Sequence, residues 1–338
     1  MALLTLFSAC GLLSSDDKEP LEPGPRNYEW TVDTLNNGPG VFYNIWGSSP
    51  DDVWAVSSGG LHAVWHFDGN KWKPYEESNI IYSAEAVYGF SEDNVWTGGN
   101  DGRLYHFDGD AWRLDFQYEK SGLNASHITD IWGNSSSNMY AVGTFYMSEE
   151  AIAQGFLLHF TEGVWREVLA TDFGVQFQRV RLEKNIPLIQ AVKSTQNGYD
   201  SLMIYKYKKG NLEEIISYAK SEVRSISIGN IGEHIYYYKE NTISKFKKDG
   251  FEEFLILPEL EEIIRVDGRN EKDIFIHTWT ETFHYNGKDL HPVLEDLPRN
   301  VFRAQLFSKE VFFVVWDVNN GTTLVYHGKL TEIKEREP

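Results

Sequence analysis

Residues Ile45 to Trp72 read IWGSSPDDVWAVSSGGLHAVWHFDGNKW, and residues Val87 to Trp112 read VYGFSEDNVWTGGNDGRLYHFDGDAW. Laid over one another, they share an apolar run, a polar turn, a second apolar run centred on Trp, a variable stretch, His-Phe, a Gly-containing turn and a closing Trp. A third copy, IWGNSSSNMYAVGTFYMSEEAIAQGFLLHFTEGVW, spans Ile131 to Trp165. The apolar runs are short and bounded by turn residues, which is the pattern of antiparallel strands rather than helices.

The pattern continues outward in weaker form. Val180 opens a fourth copy, closing near Tyr205–Leu212 (YKYKKGNL); Ile226 opens a fifth, Val266 a sixth and Phe302 a seventh, which ends at Leu324–Leu330 (LVYHGKL). The centres of the second strands fall at Trp54, Trp96, Tyr140, Ile189, Tyr236, Phe275 and Phe312, at intervals of about 37 to 49 residues. A unit of four short strands cannot bury both of its faces alone, whereas units stacked around an axis cover one another. The expected fold is therefore all-β, a seven-bladed β-propeller of four-stranded antiparallel blades over residues 28–334. The segment Tyr28–Thr34 (YEWTVDT) is a surplus strand, predicted to pair with the last blade and close the ring. Asp68-Gly69, Asp108-Gly109 and Asn286-Gly287 predict two-residue hairpin turns with positive φ.

The repeat resembles the WGxSxDDVWAVG…LHxDGxxW units of bacterial secreted and lipid-anchored propellers, closely over residues 42–168 and loosely beyond. It lacks the Gly-His and Trp-Asp markers of WD40 repeats and the Asp-box turns of sialidase-type propellers.

The chain opens Met1-Ala-Leu-Leu-Thr-Leu-Phe-Ser-Ala-Cys10-Gly11. Residues 1–10 resemble the end of a bacterial lipoprotein signal peptide, and that resemblance implies that Cys10 becomes an acylated N-terminus. Phe7 stands where Leu is usual, no Lys or Arg precedes the apolar run, and the segment is short, so a start further upstream is expected. Residues 11–27, rich in Pro, Ser and charge, read as a flexible tether. Within it, Ser14–Glu19 (SSDDKE) resembles the acidic signals that route some Bacteroidetes lipoproteins to the cell surface. The rest of the sequence contains no run approaching the ~20 apolar residues that span a bilayer. The expected location is the outer membrane, held by lipid alone, on its cell-surface or periplasmic face.

The formal charge of −19 argues against nucleic acid as a partner, because phosphate binding requires a positive surface. The lone cysteine, Cys10, allows neither an intrachain disulfide nor a cysteine-based zinc site. His66, His106, His159 and His284 occupy one repeat position, which would distribute them around the ring instead of gathering them on a metal. They are expected to be structural, and no metal or cofactor is expected. Trp46, Trp54, Trp72, Trp96, Trp112, Trp132 and Trp165 are expected between blades. The carboxylates of Asp51-Asp52, Glu92-Asp93 and Glu271–Asp273 are expected to cap turns.

Departures from the repeat carry more functional information. In a propeller, the loops between second and third strands share a face with the segments between blades. Here one such loop is long and aromatic (Gly143–Gly155), and Trp279 and Trp316 lie in two others. The segments between blades add Tyr82, Tyr118, His127 and Phe173. Phe145, Tyr146, Trp279, Trp316 and His127 are the expected contact residues, since exposed loop aromatics anchor proteins and stack on sugars. The competing reading has these aromatics folded down as a plug over the blades.

The expected function is a non-catalytic binding or scaffolding lipoprotein of the bacterial cell envelope, engaging a protein partner through the irregular loop face. The alternative is a carbohydrate-binding or carbohydrate-active propeller of glycoside hydrolase or lyase type, with His127, Glu281 and Asp317 as candidate acid–base residues.

Overall fold

The computed structural model describes residues 21–75, 81–122, 124–146, 153–172, 174–195 and 198–331. Cys10 and residues 11–20 of the expected tether lie outside the described residues, as do Phe173 and loop residues 147–152.

Among the described residues the chain forms twenty-eight strands and no helix. They make five four-stranded sheets and one eight-stranded sheet. In the eight-stranded sheet, two antiparallel four-strand runs, Ile226–Ile256 and Arg265–Leu294, meet where Ile231 pairs in parallel with Gly268. Every other pairing between strands is antiparallel, and four-strand units follow one another along the chain.

The units stand side by side in a cycle. Their first strands are Val41–Ser49, Ala86–Ser91, Ala125–Ser135, Val175–Glu183, Ile226–Ile231, Arg265–Asn270 and Val301–Leu306. Each touches the next, and the last touches the first, so the contacts close around a central channel. The strand Tyr28–Leu35 pairs antiparallel with Thr322–Leu330, completing the last sheet with the start of the chain.

Burial peaks in the second strands of the units. Second strands such as Asp52–Ser58 are buried at nearly every position, because neighbouring units cover both of their faces. Fourth strands such as Asn211–Ala219 are largely open to solvent. Rings fill the seams between units, where offset and edge-on aromatic contacts are favourable. Trp54 meets Phe107 at 5.0 Å and Trp112 at 5.4 Å in the following unit. Trp96 meets Phe160 at 5.1 Å and Trp165 at 5.6 Å one unit further on. Phe312 of the last unit meets Phe67 of the first at 5.6 Å, so the closing seam uses the same device.

The repeated histidines lie opposite the repeated aromatics across the second and third strands. His66 pairs with Trp54, His106 with Trp96, His159 with Tyr140, His284 with Phe275 and His327 with Phe312. Each ring nitrogen reaches a polar residue at the start of the second strand: Asp52, Asn94, Asn138, Asp273 or Glu310, at 2.6–3.1 Å. Asp52 and Asp273 therefore anchor histidines as well as edging turns. In the fifth unit Lys245 takes the histidine position and pairs with Glu271 at 2.6 Å.

The turns after the third strand differ in detail from the two-residue hairpins expected. They span four residues, Asp68–Lys71, Asp108–Ala111 and Asn286–Asp289, and only the Gly takes a positive φ. The Asp or Asn side chain accepts hydrogen bonds from two following amides, as Asp68 does from Asn70 and Lys71 at 3.1 and 3.0 Å. An Asx-capped turn replaces the tighter one because the side chain supplies an acceptor that the backbone lacks.

Candidate functional site on the loop face

Strand direction alternates within each unit, so one side of the ring collects particular chain segments. It receives the loops between second and third strands, the segments between units and the beginnings of the first strands. Five of the exposed apolar side chains lie there: Leu61, Tyr82, Trp279, Val318 and Tyr43. Tyr82 is 78% exposed and Trp279 51%. Trp279 is fixed by its indole N–H, which donates to Glu262 at 3.0 Å; Ser225 also donates to that buried carboxylate, at 2.8 Å. A cleft of about 840 Å³ adjoins Glu262, lined by Lys220, Glu222, Val223, Arg224 and Glu240 among others.

His127 and Tyr146 come together elsewhere on this face. Their rings meet edge to face at 6.4 Å, and His127 Nδ1 lies 2.7 Å from Asn100 Oδ1. Half-buried Glu85 lies close enough for His127 to pull its pKa down, but burial dominates and pushes that carboxyl up.

Phe145 is a correction. It lies on the strand Asn138–Tyr146, fully buried, against Tyr118 at 5.8 Å and Phe156 at 6.1 Å. The expected loop begins later than the sequence suggested, because Gly143–Tyr146 stay in register with Ala153–Phe156. The neighbouring units then cover this extension, and Phe145 becomes core. Tyr118 is buried too, stacked on Phe156 at 4.1 Å with its hydroxyl on Glu167. Trp316 is likewise a strand residue, half-buried on Glu310–Asp317 opposite Thr323.

The candidate acid–base trio does different work. Asp317 accepts from the Asn320 side chain at 2.7 Å and from the Asn319 and Asn320 amides, contacts that hold its pKa below the usual range. Glu281 closes a turn through its backbone, with Thr278 N–H donating to Glu281 O at 2.9 Å. His127 is engaged with Asn100, in a different unit from either. His127 and Asp317 are engaged through their side chains and Glu281 through its backbone, and the three belong to three different units.

Inside the ring, the loop-face end of the channel opens into a cavity of about 490 Å³. Tyr43, Glu85, Gln178, Arg179, Phe302 and Arg303 are among its lining residues. Deeper lies a second cavity of about 240 Å³, bounded among others by Trp46, Asp130, Trp132, Arg181, Arg265 and Asp267. The sequence reading passed over these arginines. The available signal was a charged residue inside an apolar first strand: Val180-Arg181-Leu182, Ile264-Arg265-Val266 and Phe302-Arg303-Ala304. A charge there must face the channel or be paired, since the flanks of the strand are buried.

These features define a β-propeller, and solved structures agree. "YCF48 bound to D1 peptide" superposes with a TM-score of 0.60 at 12% identity, covering 92% of this chain and 100% of that one. An oligogalacturonate lyase in complex with manganese gives 0.60 at 10% identity, covering 92% and 99%. The WD40 β-propeller domain of Doa1 gives 0.56 at 11% identity, covering 90% and 98%. No family model and no curated protein matches the chain. At these identities the likeness is one of fold.

Proposed function

We propose that this chain is a seven-bladed propeller serving as a non-catalytic binding or scaffolding lipoprotein of the bacterial cell envelope. A protein partner docks on its loop face, and the acylated Cys10 and its tether give the ring reach from the membrane. The observation that carries the reading is the set of exposed apolar side chains on that face, Tyr82, Trp279, Leu61 and Val318, held on a rigid ring. Trp and Tyr side chains that are already fixed, as Trp279 is by Glu262, lose little freedom on binding and make effective anchors. The YCF48 structure, with its bound D1 peptide, is a precedent for peptide binding on this fold.

The test is crosslinking in cells followed by affinity recovery, comparing the native chain with a Tyr82→Ser, Tyr146→Ser, Trp279→Ser variant. One envelope protein recovered with the native chain and lost with the variant supports the assignment. Equal recovery with both removes this face from consideration. Metabolic labelling with a fatty-acid analogue, with Cys10→Ser as control, tests the anchor separately. A screen of polysaccharides for turnover tests the carbohydrate-active alternative.

A further inference from the structure

The charges inside the channel do not balance. Four guanidinium groups reach it: Arg179 and Arg181 from Val175–Glu183, Arg265 from Arg265–Asn270, and Arg303 from Val301–Leu306. Asp130 serves two of them, Arg181 at 2.5 Å and Arg303 Nη2 at 3.2 Å, and also accepts from the Val180 amide at 3.1 Å. Asp267 is held by Arg265 through both of its oxygens at 2.5 Å, with His277 Nε2 3.6 Å away. Burial keeps His277 on the neutral side of its usual range. The remaining acid at the cavity is Glu85, and even with its full charge three carboxylates face four guanidinium groups.

Three guanidinium nitrogens in the channel lack a hydrogen bond, and one of them, Arg265 Nε, still keeps its ion pair with Asp267. The other two, Nη1 of Arg179 and Nη1 of Arg303, are enclosed and have no hydrogen-bond partner among the described residues. The Arg303 side chain is only 9% exposed, and it borders both cavities. A buried lysine or histidine can relieve such a position by releasing a proton, but a guanidinium is too basic to do so. An unmatched buried cation is costly, and an acceptor carrying negative charge removes that cost. The charge of −19 belongs to the whole chain, and salt screens it over roughly 8–10 Å, so it does not cancel the local excess.

We propose that the loop-face end of the channel is a binding site for a small multivalent oxyanion, gripped between Arg179 and Arg303. The cavity of about 490 Å³ is large enough for a phosphate, a phosphate ester or a compact tricarboxylate. Phosphates and carboxylates share the feature that matters, paired oxygens matching the fork of a guanidinium.

Thermal unfolding and calorimetric titration of the purified chain with inorganic phosphate, and separately with citrate, test the site, using sodium chloride at matched ionic strength as the reference. Saturable binding with a rise in Tm beyond the chloride control is the expected result, and the stronger of the two probes identifies the ligand class. Arg179→Gln removes an orphan donor without breaking an ion pair, so the ring should fold while affinity falls at least tenfold. Arg303→Lys keeps a cation for Asp130 but loses the fork, and should weaken binding as well. A Tm that follows ionic strength alone, or unchanged affinity in Arg179→Gln, overturns the proposal.

Discussion

Nε2 of His284 lies 2.9 Å from Oδ1 of Asp273, and the imidazole rests against the Phe275 ring at 4.9 Å. The same trio of histidine, strand-start acceptor and aromatic recurs around the ring with different burial. His284 is fully enclosed, whereas the side chain of His66 keeps 25% of its exposure. Replacing His284 by Ala should cost about 2–4 kcal/mol, from a lost hydrogen bond and a cavity beside Phe275. His66→Ala should cost about 1 kcal/mol, because solvent can reach Asp52. Urea unfolding of the two variants checks the order, and equal costs contradict it.

The buried carboxylates set the acid limit. Burial pushes Asp130, Asp267 and Asp273 upward, but Arg181, Arg265 and His284 with Arg269 respectively outweigh it and hold all three below the usual Asp range. Burial also lowers His106, His159, His277 and His327, against the pull of Glu310 in the last case. A group whose folded pKa is depressed stabilises fully above its unfolded value and loses that contribution as the pH falls toward the folded one. Stability should therefore decline in two steps, first below pH about 6.5 and again below about 4. Urea midpoints between pH 8 and 3 measure it, and Asp273→Asn should flatten the lower step. A midpoint that climbs on acidification is incompatible with these shifts.

Phe145 and Tyr82 separate core from contact surface. Phe145→Ala should destabilise by about 3–5 kcal/mol, whereas Tyr82→Ala should stay within about 0.5 kcal/mol. Thermal unfolding distinguishes them at once. A mild Phe145→Ala would place that ring back in the loop.

Two glycines are required for different reasons. A Cβ on Gly143 would sit 2.2 Å from the His127 carbonyl oxygen and 2.3 Å from the Phe156 ring, so Gly143→Ala should cost about 3 kcal/mol through overpacking. Gly163 faces open space but has φ 76°, so Gly163→Ala should cost about 1 kcal/mol from backbone strain alone. Chemical denaturation of both variants reads the difference.

Much of the fold was legible in the sequence because the repeat places Trp54, Trp96 and Tyr140 at one position of successive units, and such rings have few places to go. The pairing of Tyr28–Leu35 with Thr322–Leu330 was legible as a surplus strand in a closed arrangement. The repeat fades where Ile189 and Tyr205 replace the aromatic and histidine of other units, because apolar packing at that seam tolerates many residue types. Phe145 was misplaced because a strand extended by four residues looks like a loop when its tip is polar. The arginine channel was missed because Arg179, Arg181, Arg265 and Arg303 come together only through ring closure, across more than a hundred residues of chain.

The strand Tyr28–Leu35 precedes all seven units in the chain, and its partner Thr322–Leu330 closes the seventh. Trp30 therefore has no Phe313 to rest on until all the intervening units have been made. A chain cut short before Thr322 is a row of blades with its last seam unzipped and Phe312 left without His327, a ready target for quality control. Possession of a closed ring thus certifies that every unit between Trp30 and Phe313 is present.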